Sequence, residues 1–306
     1  MILINGLLNT LHKNFIFRIF LSSLIIGLTY QSPASAEQET IAKTLGEKYT
    51  ELSSQLANNA FRRPLVMQSV ESSKDLKGEI YGVIDYPFAT VNKALNNAEN
   101  WCDVLILHVN IKYCQAKINK NTTTLSMYLG KKDPQLLTDA YHVDFNYNHI
   151  ASNMDYFSTE LNAEKGPLGT YDYHIAIEAV PLKNGRTFLH FTYAYRFGLA
   201  GKLAMKGYLA TAGKDKIGFS LEPSRNDHPT FIKGVRGVIE RNTMRYYLAI
   251  DSYLSALNMK DEGQFDARLQ HWYDATEQYV PQLHEIERAD YIAMKSAEYA
   301  RQRSNN

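Results

Sequence analysis

Two cysteines and a histidine in the stretch WCDVLILHVNIKYC are the first residues whose types suggest chemistry. Cys102 and Cys114 are the only cysteines in the chain, and His108 stands midway between them. A thiolate beside an imidazole would be a nucleophile, but no neighbouring residue marks a depressed thiol pKa. In an oxidising compartment, two thiols this near in sequence more often pair. A continuous strand would hold them roughly 40 Å apart, at about 3.3 Å per residue, while a disulfide needs Cα atoms roughly 4.4–6.8 Å apart. A Cys102–Cys114 disulfide therefore requires the chain to turn near residues 108–110.

Charged groups offer two further sites. Tyr141, Val143, Phe145 and Tyr147 alternate with His142, Asp144, Asn146 and Asn148, and a second strand carries Glu160 back across a loop near Ser152. One register sets Asp144 opposite Glu160 and would raise a carboxyl pKa, as an acid catalyst or metal site requires. A slip of two sets His142 there instead, an ordinary surface pair, and the alternation favours an exposed sheet face. Arg241 and Arg245 lie one helical turn apart with like charge, which is unfavourable unless something anionic lies between them. Glu240 and Asp251 are nearby candidates; internal salt bridges to the C-terminal helices are the structural reading, and an anionic head-group site is the other.

The aromatic residues carry the strongest pattern. In YDYHIAIEAVPLKNGRTFLHFTYAYRF, two alternating runs flank Asn184-Gly185, a hairpin signal. A two-residue loop mixes polar and apolar residues on both faces. A three-residue loop, Lys183-Asn184-Gly185 with glycine in the left-handed position, makes both faces uniform. In that register Tyr173 meets Tyr195, Ile175 meets Tyr193, Ile177 meets Phe191 and Ala179 meets Leu189. On the other face Asp172 meets Arg196, Ala176 meets Thr192 and Glu178 meets His190. Burial of a large apolar side chain is worth about 1.5–3 kcal/mol, more than the roughly 0.2–1 kcal/mol of a cross-strand pair. Burial therefore selects the register. The polar row pairs with itself, so the aromatic row must lie against something. Tyrosine is expensive in a plain core because its hydroxyl needs a partner, and it suits an apolar pocket with scattered polar groups.

The elements that position these residues follow from periodicity. Strands are expected at 64–70, 77–85, 111–118, 124–129, 141–150, 156–163, 170–182, 186–197 and 215–222. Helices are expected from Ile41 toward Pro64, at 87–100, at 198–211, and from Val235 to the end with breaks at Gly263 and Pro281. The helix from Val235 carries Ile239, Thr243, Tyr246, Tyr247, Ile250, Tyr253 and Leu254 on one stripe, fit to cover an apolar sheet face.

The first 36 residues hold Lys13 and Arg18, no acid, the apolar run IFLSSLIIGLTY and the small residues ASA before Glu37. That reads as a secretory signal peptide cleaved after Ala36, giving a periplasmic or secreted protein. Without Lys13 and Arg18 the 33 basic residues fall to 31 against 32 acidic ones, so nucleic acid is not an expected partner. Phosphate-cradling, dinucleotide, zinc and serine-hydrolase motifs are absent, and no cofactor or metal is expected.

The strand GEIYGVID, the helix PFATVNKALNNAENW, a run of antiparallel strands and a long closing helix resemble the helix-grip fold of START-like domains. The resemblance covers about Leu65 to Asn258. It implies an α+β fold in which a curved antiparallel sheet grips a long C-terminal helix around a cavity for lipids, sterols or other apolar ligands. It supplies no shared catalytic motif. WCDVLILHVNIKYC, GPLGTYDY and ERNTMRYYLAI also look like stretches of exported bacterial proteins, a likeness that supplies no activity. The expected organisation is a signal peptide (1–36), an N-terminal helix (37–64), a START-like ligand-binding domain (65–258) and a C-terminal helical extension (259–306).

The expected function is binding or carriage of an apolar or amphipathic small molecule. The ligand-binding residues would be Tyr173, Ile175, Phe191, Tyr193, Tyr195, Tyr246, Ile250 and Arg245, with residues 199–211, including Lys202 and Lys206, as a lid or transient membrane contact. Two alternatives stand beside it. One is an enzyme in the same cavity using Glu160, His142 or Arg245. The other is an assembly factor whose C-terminal helices dock a protein partner.

Overall fold

Alternation of apolar and polar residues produces eight long strands, and helices pack on the apolar side of the sheet they form. The computed structural model describes residues 33–211, 213–222 and 229–304. The expected signal peptide falls, apart from its last residues, outside the described residues. In chain order come α1 (Pro33–Ala57), β1 (Leu65–Glu71), β2 (Asp75–Ile84), α2 (Phe88–Leu95), α3 (Ala98–Leu105), β3 (Ile111–Ile118) and β4 (Thr123–Leu129). Then follow β5 (Tyr141–Ser152), β6 (Phe157–Lys165), β7 (Thr170–Pro181), β8 (Thr187–Phe197), α4 (Leu199–Ala210), β9 (Leu221–Glu222) and β10 (Thr230–Phe231). The chain closes with α5 (Gly234–Ser255), α6 (Asp261–Glu277), α7 (Val280–Leu283) and α8 (Arg288–Ser304). The long strands form one antiparallel sheet in the order β1-β2-β8-β7-β6-β5-β4-β3. The fold is α+β, with α5 held against the sheet as a helix grip requires. Among the described residues no helix is long and apolar enough to cross a membrane.

Two glycines seat the long helix. Gly78 and Gly82 lie four residues apart on β2 and so share the face turned to α5. A Cβ at Gly78 would lie 2.2 Å from Thr243 Oγ1, and one at Gly82 would lie 3.1 Å from the Tyr247 hydroxyl. Thr243 and Tyr247 are themselves four apart on α5, so one helix ridge drops into the space the glycines leave. The helix thereby packs closest on β2 and β1. Toward β7 and β8 larger side chains fill the interval, with Phe191, Tyr193 and Tyr195 projecting from β8.

The outer face of the sheet has its own cover. Leu45, Leu52 and Leu56 of α1 recur at helical spacing and bury themselves against Val66, Tyr81, Val83, Val180 and Phe188. Ile41, expected on the same stripe, stays exposed, and the helix stops at Ala57, short of Pro64.

Residues 38–306 form one compact unit. The helices after Asn258 supply Leu269, Trp272, Tyr273, Tyr291 and Met294 to the same core as the sheet. Tyr291 donates its hydroxyl to the Leu107 carbonyl at 2.8 Å, and the fully buried Lys295 donates to the carbonyls of His108 and Ile111 and to Glu298. Lys112 reaches Glu298 at 3.1 Å, so two buried ammonium groups share one carboxylate and backbone oxygens. These bonds hold the turn between α3 and β3, which brings Cys102 and Cys114 to a Cα separation of 5.1 Å as a disulfide. The turn required by the pairing therefore exists at the expected place.

Three local expectations differ from the structure. The helix expected at 87–100 is two helices, because the Asn97 side chain accepts from the Glu99 N–H and starts a new first turn. The strand expected at 215–222 is loop until Leu221, because Glu240 of α5 takes the N–H groups of Phe219 and Ser220 that a ladder would use. The break expected at Gly263 is a kink (φ +94°) near the start of α6, and Pro281 opens α7, where a first turn tolerates it.

Two predictions follow from these contacts. Gly78→Ala should destabilise the protein by about 1–3 kcal/mol by overpacking against Thr243. Gly46→Ala, on α1 with no atom within 4 Å of the added methyl, should instead gain roughly 0.5–1 kcal/mol. Equal effects at the two sites in denaturant titrations would refute the close seat of α5. Replacing both cysteines by alanine should cost about 2–4 kcal/mol through loss of the loop constraint, read as a lower denaturation midpoint.

Candidate functional site

The β7–β8 hairpin has the register expected from its two faces. Ile175 pairs with Tyr193, Ile177 with Phe191, Ala179 with Leu189 and Glu178 with His190, and Gly185 takes φ +77°. The difference lies at the far end. A bulge between Tyr171 and His174 replaces the expected Asp172–Arg196 and Tyr173–Tyr195 ladder pairs, with Asp172 at φ +50°. The side chains still meet. Asp172 accepts from Arg196 at 3.2 Å, and the rings of Tyr173 and Tyr195 stack at 5.1 Å.

The polar face is closed on itself. His190 lies between Glu178 (2.8 Å) and Glu79 (3.0 Å), the Tyr156 hydroxyl donates to Glu178 at 2.8 Å, and Lys77 pairs with Glu79 at 2.9 Å. Tyr81 stacks on the His190 ring at 4.1 Å, with Lys48 of α1 over the Tyr81 ring. Burial works to lower the His190 pKa, but its hydrogen bonds to Glu178 and Glu79 outweigh that and hold it above the usual imidazole value. Such a group is built for stability, since its acceptors are spent on one another.

The inner face gathers most of the expected ligand-binding residues. Tyr193 lies 5.6 Å from Tyr195 and 5.1 Å from Tyr246 of α5, and Phe191 lies 6.4 Å from Tyr246. Ile175, paired with Tyr193, and Ile250, one turn beyond Tyr246, are fully buried beside them. Burial raises the pKa of all four phenols, Tyr173 to about 12 and Tyr193 well above its ordinary value. They are therefore neutral at physiological pH and serve as hydrogen-bonding groups, not bases. Tyr173 shares a 2.8 Å hydrogen bond with Thr170 Oγ1. Among the described residues the hydroxyls of Tyr193, Tyr195 and Tyr246 have no hydrogen-bond partner. The same residues keep 5–6% of their surface accessible, although their rings lie in the core. A sealed phenol without a partner costs about 1–3 kcal/mol; none of these three hydroxyls is among the fully sealed polar atoms that lack partners, so each keeps access to water or another polar group.

The row leads to an opening. Phe197 continues the inner face of β8 and lines a groove of about 520 Å³ with Lys202, Met205, Lys206 and Leu209 of α4 and Val235 of α5. α4 packs on the ends of β8 and α5 and leaves Leu199 and Leu203 exposed on its other side.

Arg245 makes no hydrogen bond to the phenol row. It donates to Asn242 Oδ1 at 3.1 Å and to Glu285 at 2.6 Å, so its partner is neither Glu240 nor Asp251. Glu240 binds Ser69 and the Phe219 loop, and Asp251 pairs with Arg63 at 2.7 Å. Glu285 was not visible as a site residue in the sequence, because it stands forty positions from Arg245 in an irregular turn.

The residues of the enzyme alternative do not converge. Asn148, and neither Asp144 nor His142, stands opposite Glu160. Asn153 Oδ1 accepts from the N–H groups of Asp155 and Tyr156, which tightens the β5–β6 turn and moves the register. His142 contacts Ser126 (2.6 Å) and Asp144 (3.1 Å) on the exposed face. His108 is buried with the Asn110 N–H donating to its Nδ1, and Cys102 is spent in the disulfide. Among the described residues no group of acidic, histidine or cysteine side chains could hold a metal ion.

No family model matches the chain, and no curated protein matches it. Among solved structures, human StAR-related lipid transfer protein 5 is similar over 57% of this chain and 90% of that chain, with 8% identity and a TM-score of 0.30. A likeness at that level leaves the site to be read from its own geometry.

The His190 network carries a pH dependence with a definite sign. Its folded pKa is raised, so its contribution is fully present below the unfolded value near 6.5 and is lost as pH rises through the folded value. The stability difference between the parent and His190→Gln should therefore shrink between pH 6 and pH 8 in denaturant titrations. A difference that grows over that range would contradict the network.

Proposed function

We propose that the chain binds an apolar or amphipathic small molecule in the groove at the end of the phenol row, between Phe197 of β8 and helices α4 and α5. One observation carries the reading. Tyr193 and Tyr195, whose rings are buried and whose hydroxyls bond to no described residue, share the strand face that continues to Phe197, and Phe197 is a wall of a groove of about 520 Å³. Rings supply apolar contact area and hydroxyls supply orientation, the division found in small-molecule sites. The neutral phenols, and the failure of Glu160, His142 and Arg245 to converge among the described residues, favour binding over turnover.

α4 is the candidate lid. It is a twelve-residue helix with Met205 and Leu209 toward the groove and Leu199 and Leu203 exposed. The exposed leucines beside Lys202 and Lys206 also suit brief contact with a membrane surface from which such a ligand would be drawn. Export to the periplasm or outside the cell is supported by the leader-like residues 1–36 and by the disulfide, which persists in oxidising compartments. Docking of a protein partner through the C-terminal helices is the weaker reading, because Trp272, Tyr273 and Tyr291 are spent in the core.

The test uses an apolar fluorescent probe, N-phenylnaphthylamine, and two substitutions. Leu209→Trp should obstruct the groove and weaken probe binding about tenfold or more, with an unchanged thermal midpoint. Tyr193→Phe removes a hydroxyl that has no protein partner, so it should leave stability equal or raise it by up to about 1 kcal/mol. Probe binding indifferent to Leu209→Trp, or a loss above about 1 kcal/mol in Tyr193→Phe, would show that the row is ordinary core.

A further inference from the structure

Next to the phenol row lies a layer with too much positive charge. Glu285, between α7 and α8, takes three cations: Arg245 at 2.6 Å, Lys216 at 3.1 Å, and Lys132. Glu285 and Arg245 are buried, while each lysine keeps about a quarter of its side chain exposed. One carboxylate against three cations leaves an excess of two positive charges. The other acceptors bonded to these cations are neutral, the Asn242 amide oxygen and the His284 carbonyl. Arg241, one turn before Arg245, adds further positive charge and donates to the Ile217 carbonyl at 3.1 Å. Burial lowers the Lys132 pKa to about 8 and lowers that of Arg245 even with Glu285 beside it. Glu285 shows the opposite balance: burial pushes its carboxyl up, and the cations outweigh this and hold it below the usual carboxylate range.

Two buried donors in the same layer lack acceptors. Arg245 Nε has none among the described residues, and neither has His108 Nε2. His108 is 3% exposed, and its Nδ1 accepts the Asn110 N–H at 3.2 Å. Burial and the neighbouring cations, Arg245 first among them, hold the imidazole neutral. Its single proton therefore sits on Nε2, a donor pointing at nothing. Asn110 is bonded in both directions to Gly130, two residues before Lys132, which fixes the histidine and the lysine in one neighbourhood. The His108 ring stacks on Tyr246 at 4.5 Å, and Tyr246 in turn lies 5.1 Å from Tyr193. The His108 ring thus stands between the neighbouring cations and Tyr246 of the phenol row.

Excess cations, unfilled N–H donors and partial access through two lysines call for one kind of occupant, an anion with several acceptor oxygens. We propose that this layer binds the anionic head group, a carboxylate or a phosphate, of an amphiphile whose apolar part lies along the phenol row. The proposal rests on the ligand-binding reading above and names the class of ligand. Glu285 keeps the three cations positioned, and the head group supplies the charge and acceptors they still lack. Arg245, Lys132 and Lys216 donate to it together with His108 Nε2–H. Neutral and cationic amphiphiles gain none of this.

The test titrates the full chain at low salt with decanoate, decyl phosphate and decanol, and with acetate and inorganic phosphate as heads without tails. Decanoate or decyl phosphate should bind at least about tenfold tighter than decanol. Lys132→Gln combined with Lys216→Gln should remove about tenfold of anion affinity and leave decanol unchanged. Both lysines are partly exposed, and the arginine replacements Lys132→Arg and Lys216→Arg should restore binding, which separates charge from folding. Equal affinity for decanol and decanoate, in parent and variant alike, would overturn the head-group site while the apolar site stands. Tight binding of phosphate or acetate with no gain from a tail would overturn the amphiphile. Failure of every tailed probe would overturn both readings.

Discussion

The architecture depends on how closely α5 can lie against the sheet. Gly78 and Gly82 remove two side chains from the inner face of β2, and Thr243 and Tyr247 take their place. Anchored there, α5 is close to the first two strands, and larger side chains must span its distance from β7 and β8. Phe191, Tyr193, Tyr195 and Tyr173 do so with rings on rings. Rings pack laterally and cannot satisfy the hydroxyls at their ends, so the residues that fill the interval leave the hydroxyls of Tyr193, Tyr195 and Tyr246 open to water or another molecule. The proposed apolar site with a few hydrogen-bonding groups would be the result of that geometry.

The remaining helices fix what the sheet and α5 leave open. α1 seals the outer face, where His190 and its two glutamates are already paired. α8 ties the turn after α3 through Tyr291 and Lys295, and the disulfide closes the same turn from the other side. That turn presents His108 to Tyr246. The segment between α7 and α8 delivers Glu285 to Arg245. The helices beyond Asn258 are thus part of the core that shapes the site, and removing them would take Trp272 out of that core and orphan Arg245 together.

Much of this was legible in the sequence where the determinants are local. Asn184-Gly185 between two clean alternations dictated the β7–β8 register, and the apolar stripe of α5 dictated its buried face. The phenol row followed from alternation alone. What escaped depends on side chains reaching backbone elsewhere. Asn153 bonding its own turn shifted β5 against β6, Asn97 capped a second helix inside one apolar run, and Glu240 drew the Phe219 segment out of a strand. Arg245 was visible as a charge needing an anion, but its partner belongs to a turn forty residues on, and Lys132 and Lys216 come from two further segments. No spacing rule connects four segments that only the folded chain brings together.

The most direct measurement is a high-resolution crystal structure of the protein purified without detergent, read at the hydroxyls of Tyr193, Tyr195 and Tyr246. The account predicts density for water or a bound molecule within hydrogen-bonding distance, roughly 2.6–3.2 Å, of at least two of these oxygens. Hydroxyls bonded directly to protein atoms, with no space for another molecule between the sheet and α5, would contradict it.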